Sequence, residues 1–241
     1  MAGVFTSKDD ARRAVWDGLV EAGVARFPFP PHGRIPNFEG APQAAERLLN
    51  HPLFHDVKAI KVNADAPQRA VREAALARGI VLYVATPRLR DGIKRLDPEQ
   101  IPPQKFAQAA TLTKGHRWAQ PVPLEELPSV DLVVTGAVGV TREGHCLGKG
   151  SGEGDIEYAI LHELGHAPVP IVTTVHPLQI LAGFPIAAHD LPLSLIATPD
   201  EVIEVAGAPG ASHGIDWERL PPDFYTPMEG LRQAKGAHRA R

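Results

Sequence analysis

Residues 131–161 read DLVVTGAVGVTREGHCLGKGSGEGDIEYAIL, which predicts a strand, a glycine-rich loop and a helix in succession. The run at 131–135 is apolar without alternation, which is typical of a strand buried on both faces of a sheet. Glycines at every second position follow, and a helix is predicted from about Asp155. We call residues 144–154 the glycine loop. A buried strand that leads through a loop into a helix is the repeating unit of α/β proteins.

Strand and helix patterns alternate on both sides of this stretch. Upstream, Ser7 is placed to cap a helix that Gly23 ends, and a second helix is predicted at 41–50. Asp65-Ala66-Pro67 is predicted to cap a third helix that runs to Arg78. The further predicted strands are 57–62, 80–85, 170–175 and 193–197.

This order of elements predicts an α/β fold with a three-layer, open, mostly parallel, Rossmann-like sheet. We assign residues 1–207 to one such domain. Residues 208–241 carry Pro221-Pro222 and end in KGAHRAR. We predict that they form a C-terminal arm and a basic tail.

The composition narrows the class of protein. The chain has 241 residues with 25 basic and 28 acidic side chains, a balance that argues against a dedicated nucleic-acid binder. The single cysteine, Cys146, excludes an intrachain disulfide. No apolar run approaches the roughly 20 residues of a membrane helix, and charges occupy the stretch where a signal peptide is apolar. We expect a cytoplasmic monomer or homodimer that acts on a small molecule, with neither nucleic acid nor membrane as partner.

The glycine loop suits an anionic ligand. Glycine stands at positions 148, 150, 152 and 154, so the backbone can approach a ligand closely with its N–H groups free. Such a loop before a helix N-terminus binds phosphate oxygens. Lys149 adds a positive charge, and Asp155 could hold magnesium on those phosphates. The loop lacks the Gly-Lys-Ser/Thr order of a P-loop. The alternative is a surface loop in which glycine only relieves strain.

Residues 26–40, RFPFPPHGRIPNFEG, form what we call the proline segment. It has four prolines and three phenylalanines, which predicts no regular structure. We expect four aromatic side chains to pack it onto the core: Trp16, Phe27, Phe29 and Phe38. Three polar residues could line a pocket: His32, Arg34 and Asn37. Four more follow or end predicted strands, where they could meet an acidic ligand or be surface charges: Lys61, Asn63, Arg88 and Arg90.

A metalloprotease-like pattern occurs at His162-Glu163-Leu164-Gly165-His166. On one helix, His162 and His166 could bind zinc with Glu163 as general base. Pro168 and Pro170 follow at once, so the helix has to end there. The alternative interpretation is a polar helix end, where histidine is favourable beside the negative end of the dipole.

Several motifs in order resemble one enzyme family. The run LGKGSGEGD at 147–155 is similar to the RLGxGxGYYDR signature of 5-formyltetrahydrofolate cyclo-ligases (methenyltetrahydrofolate synthetases). Lys8-x-x-x-Arg12 and HDLPLSLIATPDEVI at 189–203 are similar to further motifs of that family. The chain looks closest to the domain of methenyltetrahydrofolate synthetase domain-containing proteins, through RIPNF at 34–38, KVNADAPQRAVR at 61–72, TPRLR at 86–90 and GKGSGEGDIEYAIL at 148–161.

The resemblance implies the cofactors ATP and magnesium and the substrate 5-formyltetrahydrofolate, which becomes 5,10-methenyltetrahydrofolate. By the same resemblance, Lys8 and Arg12 contact the ATP phosphates, and Lys149 and Asp155 take part in catalysis. Asp155 and Asp190 match magnesium ligands. The residues implied to cradle the nucleotide are Cys146, Leu147, Gly148, Lys149, Gly150, Ser151, Gly152, Glu153 and Gly154.

The chain also departs from the family pattern. The two tyrosines of the signature fall at Glu153 and Gly154, and its arginine falls at Cys146. The family's folate-side glutamate has no clear match between Asp65 and Arg69. These differences keep a second hypothesis open, a nucleotide- or phospholigand-binding domain without the ligase activity.

Overall fold

An eight-stranded sheet forms the centre of the computed structural model, which describes residues 3–206 and, beyond them, Ile215, Glu218, Phe224, Met228 and Glu229. In chain order the strands are β1 (Ala25–Arg26), β2 (Asn37–Phe38), β3 (Ala59–Val62), β4 (Val81–Ala85), β5 (Ile93–Leu96), β6 (Gln120–Val122), β7 (Leu132–Thr135), β8 (Gly139–Thr141), β9 (Cys146–Leu147), β10 (Ile171–Thr174), β11 (Ile180–Leu181), β12 (Leu195–Ala197) and β13 (Val202–Glu204). The α-helices are α1 (Lys8–Glu21), α2 (Ala41–Asn50), α3 (Gln68–Ala77), α4 (Phe106–Ala109), α5 (Leu112–Gly115) and α6 (Glu153–Glu163). Short 3₁₀ turns lie at Pro52–Phe54, Pro87–Leu89, Pro98–Gln100, Pro103–Lys105, Leu124–Glu126 and Pro177–Gln179.

The large sheet is mostly parallel, as predicted. Its strand order is β13-β12-β10-β7-β3-β4-β5-β6. The five strands from β12 to β4 run parallel. Strands β13, β5 and β6 add antiparallel edges. The predicted α/β class is confirmed, and the antiparallel edges are additions that the sequence analysis did not include.

Helices cover both faces of the sheet, which makes three layers. Along β7, Leu132 and Val134 pack into a cluster with residues of α2 and α3, such as Leu48. Val133 points the other way and packs with Tyr158 of α6. Because successive strand residues face opposite sides, a strand buried on both faces has no polar alternation. This explains the unbroken apolar run that marked the strand in the sequence.

The order in which successive strands join the sheet reverses at its middle. From β3 it crosses through α3 to β4 on one side, and from β7 it crosses through α6 to β10 on the other. Strands β3 and β7 are neighbours. Open α/β sheets bind ligands outside the carboxyl ends of the strands at such a switch point. The fold therefore places a candidate site after Val62 and Thr135.

Helix α1 packs against a small second sheet. The strands of this sheet have the order β11-β8-β9, and Leu19 of α1 shares an apolar cluster with Leu147 and Leu181. Ser7 caps the helix, since its side chain accepts a hydrogen bond from the Asp10 amide at 3.1 Å. This packing lays the first half of α1 along the glycine loop.

Two local predictions were wrong. The proline segment holds a short ladder, in which Ala25 pairs with Phe38 and Arg26 with Asn37. Asp65 does not cap α3, which starts at Gln68 without a side-chain cap. The ladder depends on pairing between the two ends of the segment, and Asp65 is held by Arg72 and Lys149 instead of capping the helix. Single-residue propensity records neither kind of contact.

The expected packing of the aromatic residues was only partly right. Phe38 is buried, and the Trp16 indole donates to the carbonyl of Arg34 at 3.0 Å. Phe27 and Phe29, however, are 78% and 59% exposed. Their rings stand on the surface rather than in the core.

The C-terminal region is described at few positions. The Ile215 amide donates to the Glu163 carboxylate at 3.0 Å, and Phe224 and Met228 are buried in the same apolar cluster as α6. The basic end and most of 207–241 lie outside the described residues, and the division at residue 207 stays a prediction. Within the described ranges, none of the helices is long and apolar enough to cross a bilayer.

Candidate functional site

A cleft of about 1090 Å³ opens at the carboxyl ends of β3, β4 and β7. Asn63, Thr86 and Gly136 follow these three strands and line the cleft. The volume is just above the range of about 300–1,000 Å³ that is usual for small-molecule sites. The cleft can therefore hold a ligand as large as a nucleotide together with part of a second molecule.

The glycine loop forms one wall of this cleft. Gly150 and Gly152 have φ angles of 104° and 68°, a region that side chains with a Cβ rarely adopt. The chain then enters α6, whose first turn also lines the cleft. The positive end of the helix dipole thus lies where phosphate oxygens would bind.

All but one of the residues implied to bind ATP or magnesium reach the cleft, whereas His32, Lys61, Arg88 and Arg90 do not line it. Those that line it are Lys8, Arg12, Cys146, Gly148, Lys149, Gly150, Ser151, Gly152, Glu153, Gly154, Asp155 and Asp190. Leu147 does not: it is buried against α1, and its carbonyl accepts the Val138 amide at 2.7 Å.

Two cations on this wall are already held in place. Arg12 Nε donates to the carbonyl of Gly148 at 2.8 Å, and its Nη1 donates to Asp9 at 2.6 Å. Lys149 Nζ lies 3.2 Å from a Glu153 carboxylate oxygen and 3.9 Å from one of Asp65. The positive charge that would meet a phosphate is therefore balanced by carboxylates before a ligand arrives.

Glu153, the first residue of α6, has several partners besides its ion pair with Lys149. Its carboxylate accepts the backbone amide of Arg88 at 3.3 Å. Burial alone would raise the pKa of Glu153, but Lys149 and a hydrogen bond from Ser151 outweigh it, so the pKa is lowered. Glu153 is thus an anion in the same part of the cleft as Lys149.

Two aspartates at the end of the cleft fit a divalent cation. Burial, together with the nearby charge of Asp190, raises the pKa of Asp155 to about 6. Lys8 Nζ lies 2.6 Å from both oxygens of Asp190, which neutralises only one of the two carboxylates. Magnesium takes one or two protein carboxylates when phosphates supply further oxygens. This donor set suits it.

A buried ion pair under the cleft was missed. Lys61 of β3 is 1% exposed and bonds to the Glu157 carboxylate of α6 and to Asn63 Oδ1, the latter at 2.8 Å. The amine is enclosed, so Lys61 is not the strand-end contact for an acidic ligand that the sequence allowed. A lysine inside an apolar strand and a glutamate on the apolar face of α6 were the available signals.

Arg72 fixes the loop that leaves β3. Its guanidinium donates to the carbonyls of Asn63, Asp65 (3.2 Å) and Ala110 (2.9 Å), and burial lowers its pKa to about 10. These bonds hold Asp65 beside Lys149. Both Arg72 and Asp65 were missed as site residues, although an arginine on the apolar side of a helix pattern was a visible signal.

The zinc-like pattern does not build a metal site. Helix α6 ends at Glu163, so His166 lies beyond the helix that would have aligned it with His162. Throughout residues 3–206 and the five described residues after them, no group of three or more His, Cys, Asp or Glu side chains is arranged to hold a metal ion. The Glu163 carboxylate instead bonds to the backbone of Ile215.

Cys146 is unsuited to nucleophilic chemistry. Its side chain is buried, and burial raises the pKa of the thiol well above its usual range, with the charges of Asp155 and Asp190 adding to the effect. A reactive cysteine needs a lowered pKa. Cys146 therefore contributes packing and backbone to the glycine loop.

Fold and site together define an α/β protein with a large cleft, walled by a glycine-rich loop, at the switch point of its sheet. The family model described as the 5-formyltetrahydrofolate cyclo-ligase family matches residues 25–199. The chain belongs to this family.

Curated relatives carry the same assignment in their names. A mouse methenyltetrahydrofolate synthase domain-containing protein is 38% identical over 236 residues, covering 95% of this chain and 63% of the relative. Its human counterpart is 32% identical over 239 residues, covering 96% of this chain and 62% of the relative. The chain thus spans less than two thirds of the length of these relatives.

A solved structure supports the fold. The NMR structure of Aquifex aeolicus 5,10-methenyltetrahydrofolate synthetase superposes with a TM-score of 0.51 at 17% identity, covering 88% of this chain and 99% of that chain. At this identity the likeness concerns the fold alone.

Proposed function

We propose that this chain converts 5-formyltetrahydrofolate into 5,10-methenyltetrahydrofolate with ATP and magnesium. The observation that carries the proposal is convergence: the glycine loop, Arg12, Lys149 and the Asp155–Asp190 pair line one cleft. These residues come from distant parts of the chain, and the fold gathers the groups that a metal-bound nucleotide requires. Membership of the cyclo-ligase family supports the same reaction.

The reaction needs positioning and charge balance more than covalent chemistry by the protein. The formyl oxygen takes the terminal phosphoryl group of ATP and ADP leaves. The neighbouring folate nitrogen then closes the ring and phosphate departs. In this proposal the glycine loop binds the nucleotide phosphates, and Lys149 and Arg12 offset the negative charge of those phosphates. Asp155 and Asp190 would hold magnesium, which supplies charge neutralisation on the phosphates when bound.

A second candidate is nucleotide or phospholigand binding without turnover. The observation that favours it is Glu153, an anion 3.2 Å from Lys149 where the family signature has a tyrosine. An acid in this place weakens the attraction of the site for phosphate. The cytoplasmic location and the monomeric or homodimeric state stay predictions under either candidate.

The test is the ultraviolet absorbance of the methenyl product. Purified protein is mixed with 5-formyltetrahydrofolate, ATP and magnesium, and each component is omitted in turn. We expect a rise that requires all of them and that falls by at least about a hundredfold in Asp155→Asn. Asp56→Asn is the matched control, because Asp56 is exposed and does not line the cleft.

The outcomes separate the two candidates. A rise in absorbance with wild type and Asp56→Asn, lost in Asp155→Asn, supports the ligase. A flat trace beside an active family member, combined with thermal stabilisation by magnesium and ATP, supports binding without turnover. A flat trace without stabilisation contradicts both.

A further inference from the structure

Phe27 is an apolar ring exposed at the cleft. Its side chain is 78% exposed, and it lines the cleft together with Pro28, Arg34 and Asn37. Among the described residues that line the cleft, Phe27 carries the only phenyl, phenol or indole ring. When a ligand covers an apolar ring that was exposed to water, the burial of that surface stabilises the complex.

The backbone that carries this ring is fixed. Arg26 pairs with Asn37 across the β1–β2 ladder, and Asn37 Nδ2 donates to the carbonyl of Phe27 at 2.9 Å. Pro28 restricts the chain on the other side. The ring is therefore presented from a defined place rather than from a loose loop, and little ordering cost remains for a ligand that stacks on it.

Helix α1 contacts both the glycine loop and the proline segment and so places them next to each other. Lys8 contacts Asp190, Arg12 contacts the glycine loop, and Trp16 donates to the carbonyl of Arg34 in the proline segment. Residues four apart on a helix share a face and are about 6 Å apart along its axis. A ligand with its phosphates at the glycine loop thus has the proline segment roughly one helix turn away.

We propose that Phe27 is the surface on which a planar heteroaromatic ring of a substrate stacks. The inference rests on the proposed function, whose two substrates each carry such a ring: the adenine of ATP and the pyrimidine half of the reduced folate's tetrahydropteridine. Glu153 and Gly154 stand where the family signature has tyrosines, so the glycine loop offers no aromatic face. Phe27 supplies that face from the opposite segment.

The test compares two phenylalanines of the proline segment. Phe27→Ala removes the proposed stacking ring. Phe29→Ala is the matched control, because Phe29 is 59% exposed and also precedes a proline, but does not line the cleft. The dissociation constants of magnesium–ATP and of 5-formyltetrahydrofolate are measured separately by calorimetry, with KM and kcat beside them.

We expect Phe27→Ala to raise the dissociation constant of one of the two substrates by about tenfold, with kcat changed far less. Phe29→Ala should stay within about twofold of wild type. Phe27→Tyr should retain affinity, whereas Phe27→Leu, which keeps apolar bulk without a ring, should not. The substrate that loses affinity identifies which ring stacks.

If each substrate binds to wild type, Phe27→Ala and Phe29→Ala with the same affinity, the inference is overturned while the proposed function stays intact. Equal losses in Phe27→Ala and Phe29→Ala would also overturn it, since that pattern indicates a general effect on the segment. If wild type binds the substrates but does not turn them over, the ligase proposal fails and the stacking comparison still decides. If wild type binds neither substrate, both fail.

Discussion

The glycine loop with α6 and the proline segment form two sides of one cleft with opposite chemistry. On the first side, charges meet partners before any ligand is present: Lys149 contacts Glu153 and Asp65, and Lys61 contacts Glu157. On the second side, Phe27 is an uncovered ring. The difference indicates that the first side is organised by electrostatics within the protein, whereas the second has an apolar ring that the described part of the chain leaves uncovered.

The largest expected effect tests how far the first side depends on its buried ion pair. Lys61→Met leaves the Glu157 carboxylate buried without its cation, and breaking such a pair costs about 3–5 kcal/mol of unfolding free energy. Urea denaturation measures it. The exposed pair of the proline segment, Arg26–Glu39 at 2.5 Å, is the comparison: Glu39→Gln should cost at most about 1 kcal/mol.

The double variant Lys61→Met/Glu157→Leu separates the pair from packing. Removing both charges should recover most of the loss, because no unpaired charge remains. A Lys61→Met protein as stable as Glu39→Gln would contradict the contrast between the two sides. A double variant no more stable than Lys61→Met would indicate that packing, not charge, accounts for the loss.

The second prediction concerns Asp155 and pH. Burial raises its pKa from 3.8 to about 6, so the folded state holds this proton more tightly than the unfolded state. The stability that this gives is complete below the unfolded pKa and is lost as pH rises through about 6. In the absence of ligand, Asp155→Asn should therefore be more stable than wild type at pH 8 by on the order of 2 kcal/mol.

Thermal unfolding across pH measures this difference. The gain should shrink as the pH falls below about 6, and Asp56→Asn should show no such trend. Magnesium with ATP should stabilise wild type but not Asp155→Asn. A pH-independent gain would contradict the carboxylate explanation, because an amide that merely packs better would help equally at every pH.

Local patterns predicted the frame of the molecule but not its long-range pairs. Helix α2 runs over the predicted residues, and each predicted central strand is present within about two residues. The antiparallel strands β5 and β6 were missed because IKRL and QPV are polar and short. Such edge strands have a weak apolar signal and are set by their neighbours.

The same limit applies to the site. The glycine loop is a local motif and was found, together with Asp155 and Lys149. Glu157 and Arg72 were missed because their partners lie far along the chain: Lys61 is 96 residues from Glu157, and Ala110 is 38 from Arg72. The exposure of Phe27 was also wrongly predicted, since an apolar residue type does not say which side of a loop faces the core.

The smallest expected effect concerns the ion pair between Glu153 and Lys149 in the glycine loop. Glu153→Gln removes the carboxylate nearest to Lys149 Nζ, at 3.2 Å, and leaves the cation to meet a phosphate. Asp65 at 3.9 Å still holds the lysine in the cleft. Both side chains are partly buried, so the change should tighten magnesium–ATP binding by about fivefold, or about 1 kcal/mol. Calorimetry at low and high salt measures it, and the gain should be smaller at high salt.

The same substitution in the proline segment is the control for that experiment. Glu39→Gln also removes one carboxylate from an ion pair, but neither Glu39 nor Arg26 lines the cleft, so ATP affinity should stay within about twofold of wild type. An equal gain in both variants would reduce the effect to overall charge. Weaker binding in Glu153→Gln would mean that the carboxylate positions Lys149 for the phosphate rather than competing with it. The charge balance of the glycine loop would then be a feature of the working site and not a departure that weakens it.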